Sequence, residues 1–302
     1  MKGELEGRKG IAGGEGVSSM PQEKLRRLKE LLGELRSAAI AFSGGVDSTL
    51  LALVAREVLG PRAILVTTRS DLNPVRELDQ ARYLARQLGM KHLVVEGNEL
   101  EVPGFADNPP NRCYLCKKAL FRKLREVASR EGLEHLAVGS NVDDTGEHRP
   151  GLLAAQEEGV RSPLLEAGMT KADIRALARE MGLPNWNRPS YACLASRFPY
   201  DTKLTREKIA QVDQAEEYLR QQGFTQVRVR HHGDLARIEL MPEEMGRLLA
   251  GSLSPKVAGR LKELGFSYVT LDLRGYRSGS MDEVLPGPKA LGKATPKPAA
   301  PR

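Results

Sequence analysis

Apolar residues recur in the first two thirds of the chain in short blocks that alternate between two spacings. Leucines at positions 25, 28, 31, 32 and 35 follow helical spacing, which predicts an amphipathic helix over residues 22–36. Short apolar runs typical of buried strands occupy residues 38–42, 62–68, 91–96 and 135–140. Helical spacing returns between and after these runs, at residues 48–59, 73–88, 113–128, 151–158 and 170–181.

Strands that alternate with helices predict an α/β fold, with a parallel twisted sheet that carries helices on both faces. We assign this domain to residues 21–200. Ligands of such sheets bind beyond the carboxyl ends of the strands. Ser43, residues 67–70 and residues 139–140 follow three different strands, and we expect them to lie together at that edge.

The pattern changes after residue 183. Residues 184–199 contain three prolines and the single tryptophan, without a regular period, which predicts an ordered interdomain loop rather than a solvated tether. Residues 201–280 predict a small α+β domain, with a helix at 203–222, strands at 226–231, 235–240 and 267–273, and two short helices. The polar ends, residues 1–20 and 281–302, are predicted to be disordered.

Composition narrows the functional classes only slightly. A chain of 302 residues with 40% hydrophobic and 28% charged residues is typical of a globular protein with two domains. No run approaches the roughly 20 apolar residues of a membrane span, and the first residues lack an apolar leader, so we expect a cytoplasmic protein. A net charge of +7 suits an anionic partner. The charge alone does not show whether that partner is a nucleotide, an anionic metabolite or RNA.

The sequence SGGVDS, residues 43–48, joins the first predicted strand to the next helix. Two adjacent glycines let successive backbone N–H groups point into one concavity at a helix N-terminus, which suits a phosphate. The loop is not a Walker A motif, because it lacks the Gly-Lys-Ser/Thr ending. The other interpretation is a glycine turn in which Asp47 or Ser48 caps the helix.

Three cysteines are too few for a disulfide framework and are more typical of metal binding or catalysis. Cys113 and Cys116 form a C-x-x-C pair at a predicted helix start, where the helix favours the thiolate form, and Cys193 lies in the interdomain loop. A closed zinc site requires four ligands, and no histidine has suitable spacing. Three thiolates could hold a four-iron cluster and leave one iron open. Buried free cysteines are the alternative.

Arginines in the second domain indicate an anion receptor. Arg228 and Arg230 are two residues apart on a predicted strand and so share a face, and Arg237 follows on the next strand. Guanidinium forks match carboxylates and phosphates, which favours a small molecule with several negative charges. The alternative is a sheet face exposed to solvent, which could carry the same arginines without binding a ligand.

An acidic loop, GSNVDDTG at residues 139–146, follows the fourth predicted strand. Its Asp143 and Asp144 could bind Mg²⁺ or the ribose of a nucleotide. Turn and capping chemistry would account for the same residues without a ligand. The position at the carboxyl end of the sheet favours the first interpretation.

Three stretches together resemble the LarE-type sulfur transferases of the PP-loop ATP pyrophosphatase superfamily. They are SGGVDS, the sequence PSYACLASR at residues 189–197 and the sequence RVRHHGDLARIE at residues 228–239. The resemblance extends over about residues 25–273. It implies a step of nickel-pincer cofactor biosynthesis, in which a carboxylate of pyridinium-3,5-biscarboxylic acid mononucleotide is adenylated by ATP and then converted to a thiocarboxylate.

The resemblance also implies roles for individual residues. ATP and Mg²⁺ would be held around Ala41, Ser43, Gly44, Gly45, Val46, Asp47, Ser48, Thr67, Ser70, Gly139 and Asp144. The catalytic residues would be Cys193, Cys113, Cys116 and Asp47. The anionic substrate would contact Ser196, Arg197, Arg228, Arg230 and Arg237, and the second domain would bind substrate or assemble a homo-oligomer.

The source of the sulfur has two versions among proteins of this type. In one, the cysteine at the position of Cys193 gives up its own sulfur and becomes dehydroalanine. In the other, three cysteines hold a 4Fe-4S cluster whose open iron carries sulfide. The presence of Cys113 and Cys116 beside Cys193 favours the cluster version, and the sequence does not identify the donor that reloads it.

Two other functions fit parts of the sequence. A tRNA thiolase of the PP-loop group would share the C-x-x-C pair and the basic charge, but the chain lacks further C-x-x-C zinc modules and a basic helix with interleaved aromatics, and only 5% of its residues are aromatic. This argues against nucleic acid as a partner. A protein that binds ATP without chemistry would leave Asp47, the acidic loop and Cys193 without a role.

Overall fold

Four parallel strands form the larger of two sheets. The computed structural model describes residues 20–145, 150–189, 191–277 and 279–284. The strands pair in the order β3-β2-β1-β4. Their bounds are Ala38–Ala41 for β1, Ala63–Arg69 for β2, His92–Glu96 for β3 and His135–Ala137 for β4. The parallel sheet predicted from the alternating pattern is confirmed.

Helices cover both faces of this sheet. Ile40 and Leu65 pack against α1, α2, α3 and α7, whereas Ala39, Ile64 and Val66 pack against α4 and α5. Successive strand residues point to opposite faces, so strands buried on both sides become continuous apolar runs. The helices are α1 Met20–Leu35, α2 Val46–Leu59, α3 Val75–Gln87, α4 Arg112–Arg130, α5 Pro150–Glu157, α6 Pro163–Glu166 and α7 Lys171–Glu180.

A smaller mixed sheet follows in the chain, as the α+β prediction required. Strands β5 Val227–His232 and β6 Leu235–Leu240 are antiparallel, and β7 Tyr268–Leu271 runs parallel to β6. Three helices accompany these strands. They are α8 Arg206–Gln221, α9 Pro242–Leu249 and α10 Leu253–Glu263.

The core of this second unit includes residues from both halves of the chain. Leu72 and Phe105 come from loops of the first sheet, and Leu194 and Phe198 come from the loop over residues 184–199; all four pack with α8 and β5. The described part of that loop contains the short 3₁₀ helix Leu194–Arg197, and its order stays a prediction. Cys193 therefore lies where the two units meet.

The structure also refines the predicted bounds. The fourth strand ends at Ala137 rather than 140, and next to its end Val138 N donates to Arg161 O at 2.9 Å. Residues 281–284, assigned to the disordered tail, form turns in which Asp282 accepts a hydrogen bond from Tyr200. The predicted disorder of residues 1–19 and 285–302, together with Gly146 and Ser190, lies outside the described residues. Within those residues, no helix has the length and apolar character to span a membrane.

Candidate functional site

The SGGVDS loop leaves the N-terminus of α2 open to an anion. No side chain caps α2 at Gly45, so its first-turn N–H groups stay available for an anion such as phosphate. Ser43 and Ser48 bond to each other across the loop, Oγ to Oγ 3.2 Å. Asn185 Nδ2 donates to Gly44 O at 2.9 Å and fixes the turn from outside. The N-cap is thus Gly45 and not Asp47 or Ser48, and phosphate binding by the loop stays a prediction.

Gly44 and Gly45 differ in how strictly they need to be glycine. Gly44 has φ +71°, and a Cβ there would lie 3.1 Å from the backbone of Ala81. Gly45 has φ −73°, and a Cβ would meet only the Ser43 hydroxyl, at 3.3 Å.

We expect Gly44→Ala to lower the free energy of unfolding by about 1–3 kcal/mol, because strain and a backbone contact add together. Gly45→Ala, the matched control, should cost less than about 1 kcal/mol. Urea unfolding of the two variants compares them directly. Equal losses would show that the left-handed turn at Gly44 is not required.

Asp47 forms an ion pair with Lys171, the first residue of α7. Burial raises the pKa of Asp47, Lys171 opposes that rise, and the charge of Asp144 adds to it. Asp47 Oδ1 is buried and has no hydrogen-bond partner. Lys171 of α7 and the Oδ1 of Asp47 thus lie together at the mouth of the loop.

Gly139 lets the chain after β4 approach the same loop. A Cβ at this position would lie 3.0 Å from Ser48 N, so any larger residue would push the two segments apart. The acidic loop that follows forms a capping box, in which Asp144 Oδ2 accepts from Asn141 N at 3.0 Å. Asp143 accepts from Lys171 N at 2.5 Å, which places this loop beside Asp47. Capping chemistry is therefore present, and ligand binding by these carboxylates stays a prediction.

Thr67 and Ser70 lie at the carboxyl end of the sheet but use their hydroxyls internally. Thr67 Oγ1 donates to Phe42 O at 2.6 Å. Ser70 Oγ donates to Glu99 Oε2 at 2.5 Å. These bonds shape the edge on which a nucleotide would rest. Ala41 ends β1 just before the loop, and buried Val46, within the loop, begins α2.

The three cysteines share one electrostatic environment. Cys113 is exposed in the first turn of α4, and Cys116 and Cys193 are half-buried against the second core. Burial raises the pKa of Cys113, and burial raises that of Cys116 to about 12; the charge of Cys193 raises both. The prediction that the helix start favours thiolates is wrong for these two thiols, because burial outweighs the helix N-terminus. The meeting of the three thiols at one site stays a prediction.

Hydrogen bonds between loops fix Cys193 relative to the C-x-x-C pair. Asn108, fully buried with φ +55°, precedes α4 and donates from Nδ2 to Pro199 O at 2.7 Å. Asp201 N donates back to Asn108 O at 3.0 Å. Leu194 N donates to Leu72 O at 2.9 Å. The Cys193 loop is thus attached on both sides to the first unit.

The arginines of the β5-β6 hairpin are buried rather than solvated. Arg228 and Arg230 are 4% and 5% exposed, so the alternative of a solvated sheet face is wrong for them. Arg230 Nη2 and Arg237 Nη2 donate to the two oxygens of Glu239, at 2.6 and 3.1 Å. The positive charges of Arg230 and Arg237 are therefore neutralised by a carboxylate of the protein itself.

Arg228 is the exception in this cluster. No carboxylate of the described residues lies within ion-pair distance of it. Its guanidinium lies 5.2 Å from the ring of Tyr276 and 5.8 Å from that of Tyr191. Burial and then the charge of Arg197 lower its pKa to about 10. Arg228 is therefore the arginine of this cluster whose buried positive charge an anionic ligand would neutralise.

Arg197 supports the cysteine loop instead of facing an open site. It is fully buried, and its Nε and Nη2 donate to Glu216 at 2.8 and 3.1 Å. Its Nη1 donates to Ser196 Oγ at 2.8 Å and to Cys193 O at 3.2 Å. All three guanidinium nitrogens of Arg197 are therefore engaged by the protein, which does not favour its direct contact with substrate, and the predicted substrate contact of half-buried Ser196 stays a prediction.

Comparisons with known proteins identify the family. The asparagine synthase family model matches residues 29–106, which include the SGGVDS loop. An uncharacterized protein of Synechocystis sp. is 44% identical over 266 residues, which cover 88% of this chain and 99% of that protein. The pyridinium-3,5-bisthiocarboxylic acid mononucleotide synthase of Lactiplantibacillus plantarum is 42% identical over 266 residues, covering 87% and 95% of the two chains. The chain belongs to the LarE family.

The LarE resemblance predicted from sequence is thereby confirmed, and the chain is an ATP-using sulfur transferase with a PP-loop domain. The GMP synthase of Aeropyrum pernix is 28% identical over 223 residues, 67% of this LarE-family chain and 43% of that protein. This partial match is what the shared PP-loop domain predicts.

Three residues of the LarE-family site were missed by sequence reasoning. Lys171, Asn108 and Asn185 each reach a partner at least 90 residues away. Thr170 marks the start of α7 as a helix cap, which locates Lys171 on a helix without indicating Asp47 as its partner. Asn108 and Asn185 lie in segments rich in proline and asparagine, where local sequence predicts only turns.

Proposed function

We propose that this LarE-family protein inserts sulfur into pyridinium-3,5-biscarboxylic acid mononucleotide during nickel-pincer cofactor biosynthesis. The name of the L. plantarum relative supports this substrate class. One structural observation carries the proposal: the loop that carries Cys193 is bonded to the arginine cluster, since Arg230 Nη1 donates to Ser196 O at 3.0 Å. A substrate held by the cluster would therefore lie close to the sulfur source.

The first step activates a carboxyl group. A carboxylate oxygen of the substrate attacks the α-phosphorus of ATP, the bond from that phosphorus to the bridging oxygen breaks, and pyrophosphate leaves. The α2 N-terminus binds the pyrophosphate, and Lys171 neutralises the charge that develops on it. Free Asp47 Oδ1, with Asp144 nearby, fits Mg²⁺, which binds nucleotides through one or two carboxylates plus phosphates. When bound, Mg²⁺ would add positive charge at the leaving group.

The second step replaces the adenylate. Sulfur attacks the acyl carbon, the carbon–oxygen bond to AMP breaks with its electron pair on AMP, and a thiocarboxylate results. A second round would give the dithiocarboxylate. Arg228 holds an anionic group of the substrate, since its charge lacks a carboxylate partner. Burial of Arg228 and Arg230 limits water on that side of the site, which would otherwise hydrolyse the acyl-adenylate.

For the sulfur source, the donor set fits a 4Fe-4S cluster held by Cys113, Cys116 and Cys193. No group of three or more His, Cys, Asp and Glu side chains in the described residues surrounds a single metal ion, but a cluster takes one thiolate per iron, so its ligands need not converge. When bound, the cluster would carry sulfide on its open iron. Sacrifice of the Cys193 sulfur remains the competing scheme, and the cysteine variants in the Discussion separate the two.

The adenylation step is tested at Lys171. We expect Lys171→Met to slow substrate-dependent release of AMP and pyrophosphate by about a hundredfold, the usual loss when one stabilising donor is removed from a transition state. Lys24→Met is the matched control, because Lys24 also pairs with an acid of α7, Asp173, at 2.7 Å, away from the loop. Equal slowing in both variants would mean that Lys171 only stabilises the helix.

A further inference from the structure

Arg112 is a buried cation without an ion-pair partner among the described residues, immediately before Cys113. Its side chain is 5% exposed, and its Nε and Nη1 are buried and form no hydrogen bond. No carboxylate of the described residues forms an ion pair with it. Buried polar atoms are nearly always bonded, and an unpaired buried charge is costly. The arrangement therefore favours an anionic ligand, which none of the described residues supplies.

The surroundings hold Arg112 in place without neutralising it. Its guanidinium lies 4.3 Å from the centre of the Tyr200 ring. The Tyr200 hydroxyl donates to Asp282 Oδ1 at 2.6 Å, so the nearby carboxylate is already engaged. Helix α4 begins at Arg112, has no side-chain cap at Asn111 and no acidic residue in its first turn. Arg112 N and Tyr114 N donate to Pro109 O and Asn111 O, both at 2.9 Å, so among the first three N–H groups of α4 that of Cys113 stays open, next in the chain to the buried guanidinium.

We propose that Arg112 and the first turn of α4 bind a small monovalent anion beside Cys113. We assign this anion as hydrosulfide, the form in which sulfur would reach the three thiols. This assignment rests on the proposed function. The near-complete burial of Arg112 excludes a bulky ligand. The phosphate and carboxylates of the mononucleotide have their own cation in Arg228. Binding makes and breaks no covalent bond, so no further reactant is needed.

The anion site is tested by the charge selectivity of Cys113 alkylation. Iodoacetate is a monoanion and iodoacetamide its neutral counterpart, so their rate ratio cancels the intrinsic reactivity of the thiol. The full-length reduced chain, without added iron, is alkylated with each reagent, and Cys113 is followed by peptide mass spectrometry. We expect Arg112→Gln to lower the ratio of the Cys113 alkylation rates, iodoacetate over iodoacetamide, by at least about tenfold. Local electrostatic steering of a charged reagent changes rates by this much or more.

Lys117→Gln is the matched control, because Lys117 also carries a charge that acts on Cys113. Its exposed side chain should change the ratio by less than about twofold, as expected for a screened surface charge. An unchanged ratio in Arg112→Gln, or equal falls in the two variants, would overturn the anion site. If Arg112→Gln does not fold, the wild type is tested with thiocyanate as a competing anion, at an ionic strength held constant with gluconate. Thiocyanate should lower the rate of Cys113 alkylation by iodoacetate to a plateau and leave the rate with iodoacetamide unchanged. Absence of saturation would overturn the proposal.

The identity of the anion is tested by turnover with sodium sulfide. We expect Arg112→Gln to raise the sulfide concentration for half-maximal thiocarboxylate formation by about tenfold or more, with the KM for the pyridinium substrate and substrate-dependent AMP release unchanged. A raised substrate KM with normal sulfide dependence would assign Arg112 to the substrate and overturn the hydrosulfide assignment. If wild-type protein releases no AMP with this substrate, the proposed function fails, while the alkylation result still decides the anion site.

Discussion

Replacement of Cys193 by alanine is expected to lower thiocarboxylate formation by about a thousandfold or more, while substrate-dependent AMP release continues. The loop and Lys171 that activate the carboxylate do not involve this thiol, whereas both sulfur schemes require it. Product and AMP are measured together by liquid chromatography and mass spectrometry. Parallel loss of both would indicate that Cys193 supports the fold or the nucleotide site.

Cys113→Ala combined with Cys116→Ala separates the two sulfur schemes. The cluster scheme predicts the same loss of product as Cys193→Ala, and about four irons per wild-type chain after anaerobic reconstitution. The sacrificial scheme predicts that the double variant still completes a single turnover and leaves dehydroalanine at position 193. Normal turnover of the double variant without iron would contradict the cluster.

Replacement of Glu216 by glutamine is expected to lower the free energy of unfolding by about 3–5 kcal/mol, because it leaves the fully buried Arg197 charge unpaired. Glu216 also accepts from Arg220 at 2.8 Å and from Val229 N at 3.1 Å. Glu217→Gln is the matched control: it removes an exposed pair with Arg76 and should cost about 1 kcal/mol or less. Urea unfolding at neutral pH measures both. Similar losses would mean that the buried pair contributes no more than a surface pair.

The same residue predicts part of the acid sensitivity. Burial alone would raise the pKa of Glu216, but Arg197 and Arg220 outweigh burial and lower it from 4.5 to about 2. A depressed folded-state pKa gives stability that is present above pH 4.5 and is lost as the pH falls towards 2. Glu216→Gln should therefore show a shallower decline of stability over this interval than the wild type. An identical decline would contradict the low pKa.

Much of the fold follows from local sequence. Ala38–Ala41 and the first four residues of Ala63–Arg69 are continuous apolar runs because both sheet faces are covered, and Gly44 is required by a left-handed turn that the SGGVDS pattern already indicates. These features depend on neighbours close in the chain. They are therefore readable without a structure.

The missing parts of the site depend on distant partners. Lys171 meets Asp47 across 124 residues, and no periodicity in either segment encodes that contact. The sequence placed Arg230 and Arg237 together correctly but did not reveal Glu239, whose carboxylate neutralises both, because alternating charges on a hairpin are equally typical of a solvated face. The high pKa of Cys116 likewise comes from packing against the second core, which helix position alone does not predict.

The central claim is that the SGGVDS loop activates a carboxylate of the substrate as an adenylate before sulfur is transferred. The most direct measurement uses substrate with heavy-oxygen-labelled carboxylates and follows the label during turnover. The account predicts one labelled oxygen in AMP for each oxygen replaced by sulfur, because the attacking carboxylate oxygen leaves with the phosphate. Thiocarboxylate formed without label in AMP, or with ATP converted to ADP, would contradict it.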